Sequence, residues 1–229
     1  MMPKTTVLFG LSIFLFFSFV FFSYLVHEDV LTQVDFDTTV RLQDNIPERF
    51  DLFFSYFSAV GRFEFLLAVM AVIFIAARKF LAGAVALFSF FMFHVIEIYG
   101  KFYVDHPPPP QFLLRTQYPI DFPQFHVRAE FSYPSGHSGR TVFLAAIIIA
   151  FILSSKLAKP VKLTLIGFVA GFTFVMLISR PYLGEHWVSD VIGGALLGAS
   201  LGIFSAIFIE EKFSLKRLYS RFIKPDAKR

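Results

Sequence analysis

The sequence contains no cysteine and few charged residues. Asp, Glu, Lys and Arg make up 17% of the 229 residues, whereas soluble domains carry about a quarter. The absence of cysteine excludes disulfides and leaves the redox compartment undetermined. Hydrophobic residues reach 56% and include 34 phenylalanines, which predicts an all-α polytopic membrane protein with one domain over residues 1–229. The net charge of +4 is modest, and no nucleic-acid partner is predicted.

Six apolar segments are predicted to cross the membrane as one bundle of helices, each of which needs about 20 residues. They cover residues 6–26, 53–77, 80–99, 141–155, 163–178 and 191–209. The first has no signal-peptide cleavage site and is expected to be retained. Arg62 and Glu64 interrupt the second, so its outer end is expected at the interface. The fourth and fifth are short and are expected to extend at their outer ends.

Positive charge predicts the orientation of this bundle. Lys and Arg concentrate near the N-terminus, at 78–79, at 156–162 and in the tail 210–229. Both termini are therefore predicted to be cytoplasmic, with 210–229 a basic cytoplasmic tail and the chain in the cell (inner) membrane. Segments 28–52, 100–140 and 179–190 then face outward. The first is expected to be an interfacial amphipathic helix, or a connector that packs over the bundle.

Two short segments carry the residues from which a reaction is predicted. His186 and Asp190 are four residues apart, so they share one face of a helix. A carboxylate there fixes the imidazole tautomer and leaves the other nitrogen free to attack. Arg180 offers a planar fork of donors to phosphate oxygens. With the second imidazole, His137 of YPSGHSGR, these residues indicate phosphoryl transfer through a phosphohistidine.

These segments resemble the type 2 phosphatidic acid phosphatase family, the lipid phosphate phosphatases, which are relatives of the vanadium haloperoxidases. The family carries a Lys followed by Arg-Pro, then Pro-Ser-Gly-His, then Ser-Arg with a His and an Asp further on. The second motif is present at 134–137. The third motif is present as Ser179, Arg180, His186 and Asp190. The first is half present, because Lys101 opens KFYVDHPPPP but the family's Arg-Pro falls on Pro108-Pro109.

The residues and the resemblance together predict the site. The catalytic residues are His186 as nucleophile, His137 as general acid and then base, and Asp190 as the group that orients His186. The predicted phosphate-binding residues are Lys101, Arg180, Ser135, Gly136 and Arg115. Gly136 is expected to let the backbone approach the anion. Neither a metal nor another cofactor is expected, with the two histidines as metal ligands the alternative.

Arg115 is included because it can supply the cation that Pro108 cannot. Arg140, one turn after His137, and Arg128 are the alternatives, and each can instead be a rim charge. Glu97 lies one turn before Lys101 and is expected to position it or to make a structural hydrogen bond beside His94. His106 stands where related sequences often carry a second Arg-Pro.

The predicted function is hydrolysis of a lipid phosphomonoester or pyrophosphate at the outer leaflet. The resemblance implies undecaprenyl pyrophosphate, phosphatidylglycerol phosphate or phosphatidate as candidate substrates, so the predicted partners are a lipid phosphate and the bilayer. The oligomeric state is left open. One alternative is a lipid phosphotransferase that passes the phosphoryl group to an alcohol. The other is a non-catalytic lipid-phosphate binding or transport protein, which the incomplete first motif supports and the intact second and third motifs oppose.

Overall fold

The structure, a computed structural model, describes residues 4–117 and 131–210. Across these two ranges the chain is helical and contains no strand, which confirms the all-α prediction. The eight α-helices are α1 (Lys4–His27), α2 (Thr32–Asn45), α3 (Asp51–Ala59), α4 (Phe63–Ala76), α5 (Phe80–Tyr103), α6 (Gly136–Ser154), α7 (Lys159–Tyr182) and α8 (Val188–Glu210). Two short 3-10 turns lie at Glu48–Phe50 and Gln111–Leu113.

Five helices are long and apolar enough to cross a bilayer, namely α1, α5, α6, α7 and α8. The segment predicted as one span over 53–77 is instead divided into α3 and α4. Residues Glu48–Ala59, which include the preceding 3-10 turn, make an angle of 52° with α4. The break is at Gly61, where a Cβ would stand 3.0 Å from His137 and 3.2 Å from Met176. Arg62 follows directly. Its charge predicted an interruption of this span, and the structure has a break between two helices at that point. The described residues therefore contain five helices suited to span a bilayer, or six spans if the bent pair crosses as one.

The helices extend beyond the predicted apolar segments at the end that carries the motifs. α5 continues past Lys101, α6 begins immediately before His137, and α7 continues past Arg180. The first turn of α8 adds Asp190 at the same end. We call this end of the bundle the site end; it comprises the last turns of α5 and α7, the first turns of α6 and α8, and the segments that join them.

α8 lies at the centre of the bundle, in contact with α1, α5 and α6. Its face toward α6 carries Gly194, Gly198 and Gly202, each four residues from the next. A Cβ on Gly198 would stand 2.1 Å from the carbonyl oxygen of Gly139 in α6. Small residues let helix backbones approach closely in membranes. This stripe therefore sets the spacing between the helix that follows Ser135 and the helix that carries Asp190.

α2 lies across the ends of α7 and α8 with three polar residues, Asp35, Thr39 and Gln43, buried. Asp35 is 2% exposed and accepts hydrogen bonds from the backbone N–H of Ser189 (2.8 Å) and from its hydroxyl (2.6 Å). Gln43 donates to the carbonyls of Leu113 (2.7 Å) and Tyr182 (2.9 Å). Residues 28–52 thus pack over the bundle, the second of the two arrangements expected for them. The apolar residues of this region that were predicted to contact the interface are largely exposed: Val30, Val34 and Phe36.

Three predictions concern residues outside the described ranges. They are the basic tail beyond Glu210, the position of Arg128, and residues 118–130 of the Pro-rich and aromatic outer segment between Lys101 and Tyr133.

Candidate active site

The site end brings together the residues of the second and third motifs. Ser135 precedes α6 and its backbone N–H donates to the backbone carbonyl of Asp190 at 2.9 Å. The Ser135 side chain is fully buried and accepts a hydrogen bond from the Ser138 hydroxyl at 3.0 Å. Two segments that are far apart in sequence are therefore joined by a backbone hydrogen bond. His137 follows at the first turn of α6.

His186 and Asp190 form the predicted pair. Nδ1 of His186 lies 3.3 Å from Oδ2 of Asp190, and the same oxygen accepts the backbone N–H of Trp187 at 2.9 Å. Burial lowers the pKa of His186; the hydrogen bond to Asp190 opposes this, but the charges of Arg180 and Lys101 add to it, and the net pKa lies below the usual histidine value. A neutral imidazole with Nδ1 held by a carboxylate presents Nε2 as the attacking atom.

Asp190 has a second imidazole partner that the sequence did not reveal. Nδ1 of His106 lies 2.8 Å from Oδ1 of Asp190, a shorter distance than that to His186. Burial lowers the pKa of His106, but the hydrogen bond to Asp190 and the charges of Asp190 and Asp35 outweigh it, so the net pKa is raised. His106 was noted at the sequence level only because it stands at a family Arg-Pro position.

Arg180 is a buried cation with one N–H donor that has no hydrogen-bond partner among the described residues. Its side chain is 2% exposed, and its terminal nitrogens donate to the Ser58 hydroxyl and the Glu185 carboxylate. Its Nε has no hydrogen-bond partner among the described residues. Buried polar groups are rarely left unpaired in proteins, so a donor of this kind in a candidate site suits an anionic ligand.

Glu185 holds Arg180 in place and was missed by sequence reasoning, although it directly precedes His186. It accepts a hydrogen bond from the Thr116 hydroxyl at 2.5 Å in addition to its ion pair with Arg180. Burial raises the pKa of Glu185, but the Arg180 charge and the Thr116 hydrogen bond together lower it by more. The net pKa is therefore lowered and the carboxyl stays ionised. Its sequence signal was its place inside the third motif.

Lys101 lies at the site end as predicted, but Glu97 has a different partner. The Lys101 ammonium donates to the carbonyls of Phe131 and Ser132, each at 3.3 Å. Glu97 forms its ion pair with Arg140 of α6 at 3.2 Å, which corresponds to the structural alternative of the two roles expected for it. Helix spacing identified a neighbour within α5, whereas the packing of α5 on α6 brings in a stronger donor.

Gly136 is needed for a packing reason that the sequence did not reveal. A Cβ there would lie 2.0 Å from Oε1 of Glu97 and 2.6 Å from Nη1 of Arg140. The glycine therefore makes room for the ion pair between α5 and α6. The close approach of an anion to the Gly136 backbone stays a prediction.

Arg115 does not reach the histidines as predicted. Its guanidinium lies over the ring of Tyr182, 5.6 Å from the centroid, and donates to the Ile46 carbonyl at 3.5 Å. Its backbone N–H bonds Leu183 at 2.9 Å, which anchors the segment after Gln111–Leu113 to α7. The cation that the first motif lacks is therefore not supplied by the Arg115 side chain in this structure.

Other cations act on His137. The positive groups whose charge reaches its imidazole belong to Arg180, Arg140 and Arg62. Arg140 is 8% exposed, and its Nε lacks a hydrogen-bond partner among the described residues, as does that of Arg180. Arg62 follows Gly61, which packs on the His137 ring at the break between α3 and α4. Neither Arg62 nor Ser58 was singled out from the sequence as a site residue.

Metal-ligand geometry is a separate question. No group of three or more His, Asp or Glu side chains suited to hold a metal ion is found within residues 4–117 and 131–210. His94, the remaining histidine of the third span, donates to the Phe90 carbonyl at 2.8 Å and packs on the rings of Phe63 and Phe93. His94 is therefore held by a hydrogen bond within α5 and by aromatic contacts.

Comparison with solved structures shows the same fold elsewhere. The transmembrane PAP2 type phosphatidylglycerolphosphate phosphatase from Bacillus subtilis matches with a TM-score of 0.70 at 22% identity, over 89% of this chain and 98% of that one. Aquifex aeolicus LpxE matches with a TM-score of 0.57 at 21% identity, over 75% of this chain and 94% of that one.

Sequence comparison finds related proteins of known name. The chain is 39% identical over 84 residues to phosphatidylglycerophosphatase B of Bacillus subtilis, an alignment that covers 35% of this chain and 40% of that protein. It is 27% identical over 168 residues to undecaprenyl-diphosphatase of Sulfolobus acidocaldarius, covering 71% and 72% respectively. The model of the PAP2 superfamily matches residues 78–214, more than half of the sequence and the part that carries all three motif regions. The chain belongs to the PAP2 superfamily.

Proposed function

We propose that this chain is an integral membrane lipid phosphatase that hydrolyses a lipid phosphomonoester or pyrophosphate through a phosphohistidine. The observation that carries the proposal is the His186–Asp190 pair beside the buried guanidinium of Arg180, whose Nε has no partner among the described residues. The names of the relatives support the class of substrate: one is a phosphatidylglycerophosphatase and another an undecaprenyl-diphosphatase. Undecaprenyl pyrophosphate, phosphatidylglycerol phosphate and phosphatidate are the candidate substrates.

The first step forms a bond between Nε2 of His186 and phosphorus. The bond between phosphorus and the leaving oxygen breaks, and His137 donates a proton to that oxygen, which departs as the lipid alcohol or lipid phosphate. A phosphate dianion beside His137 favours the protonated imidazole that this step requires. Asp190 keeps Nδ1 of His186 hydrogen-bonded as the ring gains positive charge.

The second step returns the enzyme to its starting state. A water molecule attacks the phosphohistidine, His137 accepts its proton, and the bond between phosphorus and Nε2 of His186 breaks to release phosphate. Positive groups stabilise the equatorial oxygens in both steps. We assign this role to Lys101, Arg180 and the donors around Ser135. Arg140 takes the place of the arginine that the family has at the position of Pro108.

The proposed orientation rests on charge. The N-terminal helix, the 78–79 turn, the 156–162 loop and the tail carry most of the Lys and Arg, which favours a cytoplasmic position for both termini. The site end then faces the outer side of the cell membrane. The exposed apolar residues of the 28–52 region would lie in that interface.

The decisive experiment measures phosphate released from a panel of the three candidate lipids by the purified full-length chain in detergent, in the presence of EDTA. The same panel is run with an alcohol acceptor and with His186→Ala. We expect release by the wild type and its loss in the variant. Transfer to the alcohol in preference to water would favour the phosphotransferase, and binding without release would favour a lipid-phosphate binding protein. Turnover by well-folded His186→Ala would contradict the phosphohistidine.

A further inference from the structure

His106 occupies a buried position at the centre of the site end. It is 6% exposed, and its carbonyl accepts the Ser132 backbone N–H at 2.9 Å and the Ser132 hydroxyl at 3.2 Å. Its ring meets the ring of Tyr133 edge-on, with centroids 6.5 Å apart. Both ring nitrogens face acidic groups: Nδ1 is 2.8 Å from Oδ1 of Asp190, and Nε2 is 3.9 Å from Oδ2 of Asp35.

The Asp190 carboxylate is consequently divided between two imidazoles. Oδ1 bonds His106, while Oδ2 is left for His186 and for the backbone N–H of Trp187. A carboxylate with only one of its oxygens held can rotate about its terminal bond. Held from both sides, Asp190 has one orientation, and that orientation fixes the ring of His186.

The chain of contacts continues to α2. Asp35 accepts two hydrogen bonds from Ser189, the residue just before Asp190, and its second oxygen lies toward His106. α2 therefore acts on the same carboxylate by two routes, through the first turn of α8 and through the His106 ring.

We propose that His106 is a positioning residue that fixes Asp190 from the side opposite His186 and, as a cation, keeps His186 in its neutral, attacking form. The inference rests on the proposed function, since it assigns His106 a part in the same reaction. His106 does not contact the reacting phosphorus in this scheme. It acts through Asp190.

The sign of the electrostatic effect follows from the arrangement. The charged and titratable groups that face His106 are Asp190 from α8, Asp35 from α2, Asp29 from the turn before α2 and Tyr133 beside α6. The three carboxylates favour an imidazolium at neutral pH. That positive charge partly cancels the attraction of Asp190 for a proton on His186. Loss of the charge should raise the pKa of His186. The fall in activity on the acid side should then begin at a higher pH than in the wild type.

Two substitutions separate orientation from charge. His106→Asn retains an amide N–H near the position of Nδ1 but carries no charge, whereas His106→Ala removes both. The matched control is His27→Asn, at the last residue of α1, whose Nδ1 lies 3.4 Å from the Val104 carbonyl. Thermal unfolding of each purified variant confirms that it is folded.

Steady-state kinetics on a lipid phosphate across pH give the first readout. We expect His106→Ala to lower kcat by about 10–100-fold, the usual loss on removing an outer partner of a functional histidine, with a much smaller change in KM. His106→Asn should recover much of kcat at alkaline pH, while its acid limb moves to higher pH than that of the wild type. In an Asp190→Asn background, His106→Ala should have little further effect, because both changes break one unit.

A second readout does not need turnover. The pKa of His186 is measured by NMR of ¹⁵N-histidine in detergent micelles, with His186→Gln used to assign the signal. A higher value in His106→Asn than in the wild type supports the inference even if no tested lipid is hydrolysed, in which case only the proposed function fails. An unchanged His186 pKa, or a His106→Ala loss that multiplies independently with that of Asp190→Asn, would overturn it. Wild-type kcat and an unmoved acid limb in both variants would do the same.

Discussion

The substitution Gly198→Ala tests whether catalysis depends on the close contact between α6 and α8. A Cβ added at this position would stand 2.1 Å from the carbonyl oxygen of Gly139 and 2.8 Å from its carbonyl carbon. Both are backbone atoms, so no side-chain rotation can relieve the overlap. Ordinary contact begins at 3.4 Å, so the two helices must move apart locally by about 1.3 Å.

The cost of that movement falls on both stability and turnover. Overpacking a close-packed contact costs about 1–3 kcal/mol, against which alanine regains about 1 kcal/mol of helix propensity. Separation of the helices stretches the bond from the Ser135 N–H to the Asp190 carbonyl, and with it the placement of His137 relative to His186. A misplacement of about 1 Å in an active site can lower the rate on the order of 10²-fold. We therefore expect kcat to fall by roughly that factor while the variant remains folded.

The assay is phosphate release from a lipid phosphate in detergent micelles, with thermal unfolding followed in parallel. Gly171→Ala in α7 is the matched control, because a Cβ there meets nothing within 4 Å among the described residues. We expect that control to keep its turnover and to unfold at the same temperature or slightly higher. Turnover of Gly198→Ala equal to that of Gly171→Ala would show that the site tolerates a wider helix spacing and would refute the reasoning.

Three further predictions concern the charges and the pH range of the site. Lys101→Ala and Arg180→Ala should each reduce kcat/KM on the order of 10²–10³-fold. Arg115→Ala should have a small effect on the rate, because its guanidinium lies on the Tyr182 ring. Equal losses in the three variants would show that Arg115 does act in the site. The acid limb of kcat/KM should lie below the usual histidine pKa, because burial and nearby cations lower that of His186, and activity is lost only when this imidazole gains its proton; a limb above that value would contradict this. Activity should persist in excess EDTA and be inhibited by vanadate, which can mimic five-coordinate phosphorus on the histidine; activity lost in chelator and restored by a divalent ion would indicate a metal site.

The parts of the site that could be predicted are those whose geometry is local. His186 and Asp190 are four residues apart, so their spacing alone implied a contact, although His186 lies just before α8 and only Asp190 lies in the first turn of that helix. The long apolar runs likewise implied helices, because a bilayer of about 30 Å requires them. The break at Gly61 was partly foreseeable from the charge of Arg62, but the reason for it, contact with the His137 ring, is tertiary.

The parts that could not be predicted depend on partners distant in sequence. Glu97 has two possible cations at short range, and only the packing of α5 against α6 selects Arg140. His106 and Asp190 are separated by 84 residues, and no periodicity connects a loop after α5 to the first turn of α8. Arg115 was chosen from the length of a proline-rich segment, which limits reach but does not fix direction. Its ring contact with Tyr182 is a tertiary preference for an aromatic face.

The two halves of the bundle are held together by different forces, and this explains where a missing arginine can be tolerated. Away from the site end, buried apolar residues of α4, α5, α6 and α8 form one core in which a charge would be costly. At the site end, the helix termini are joined by ion pairs and shared carboxylates, among them Arg140 with Glu97, Arg180 with Glu185, and His106 with Asp190. Arg140, Arg180 and His106 each have an acidic partner that holds the side chain in place. A phosphoryl group entering such a network meets several donors already in position, so the rate depends on the placement of the whole set rather than on the single cation absent at Pro108.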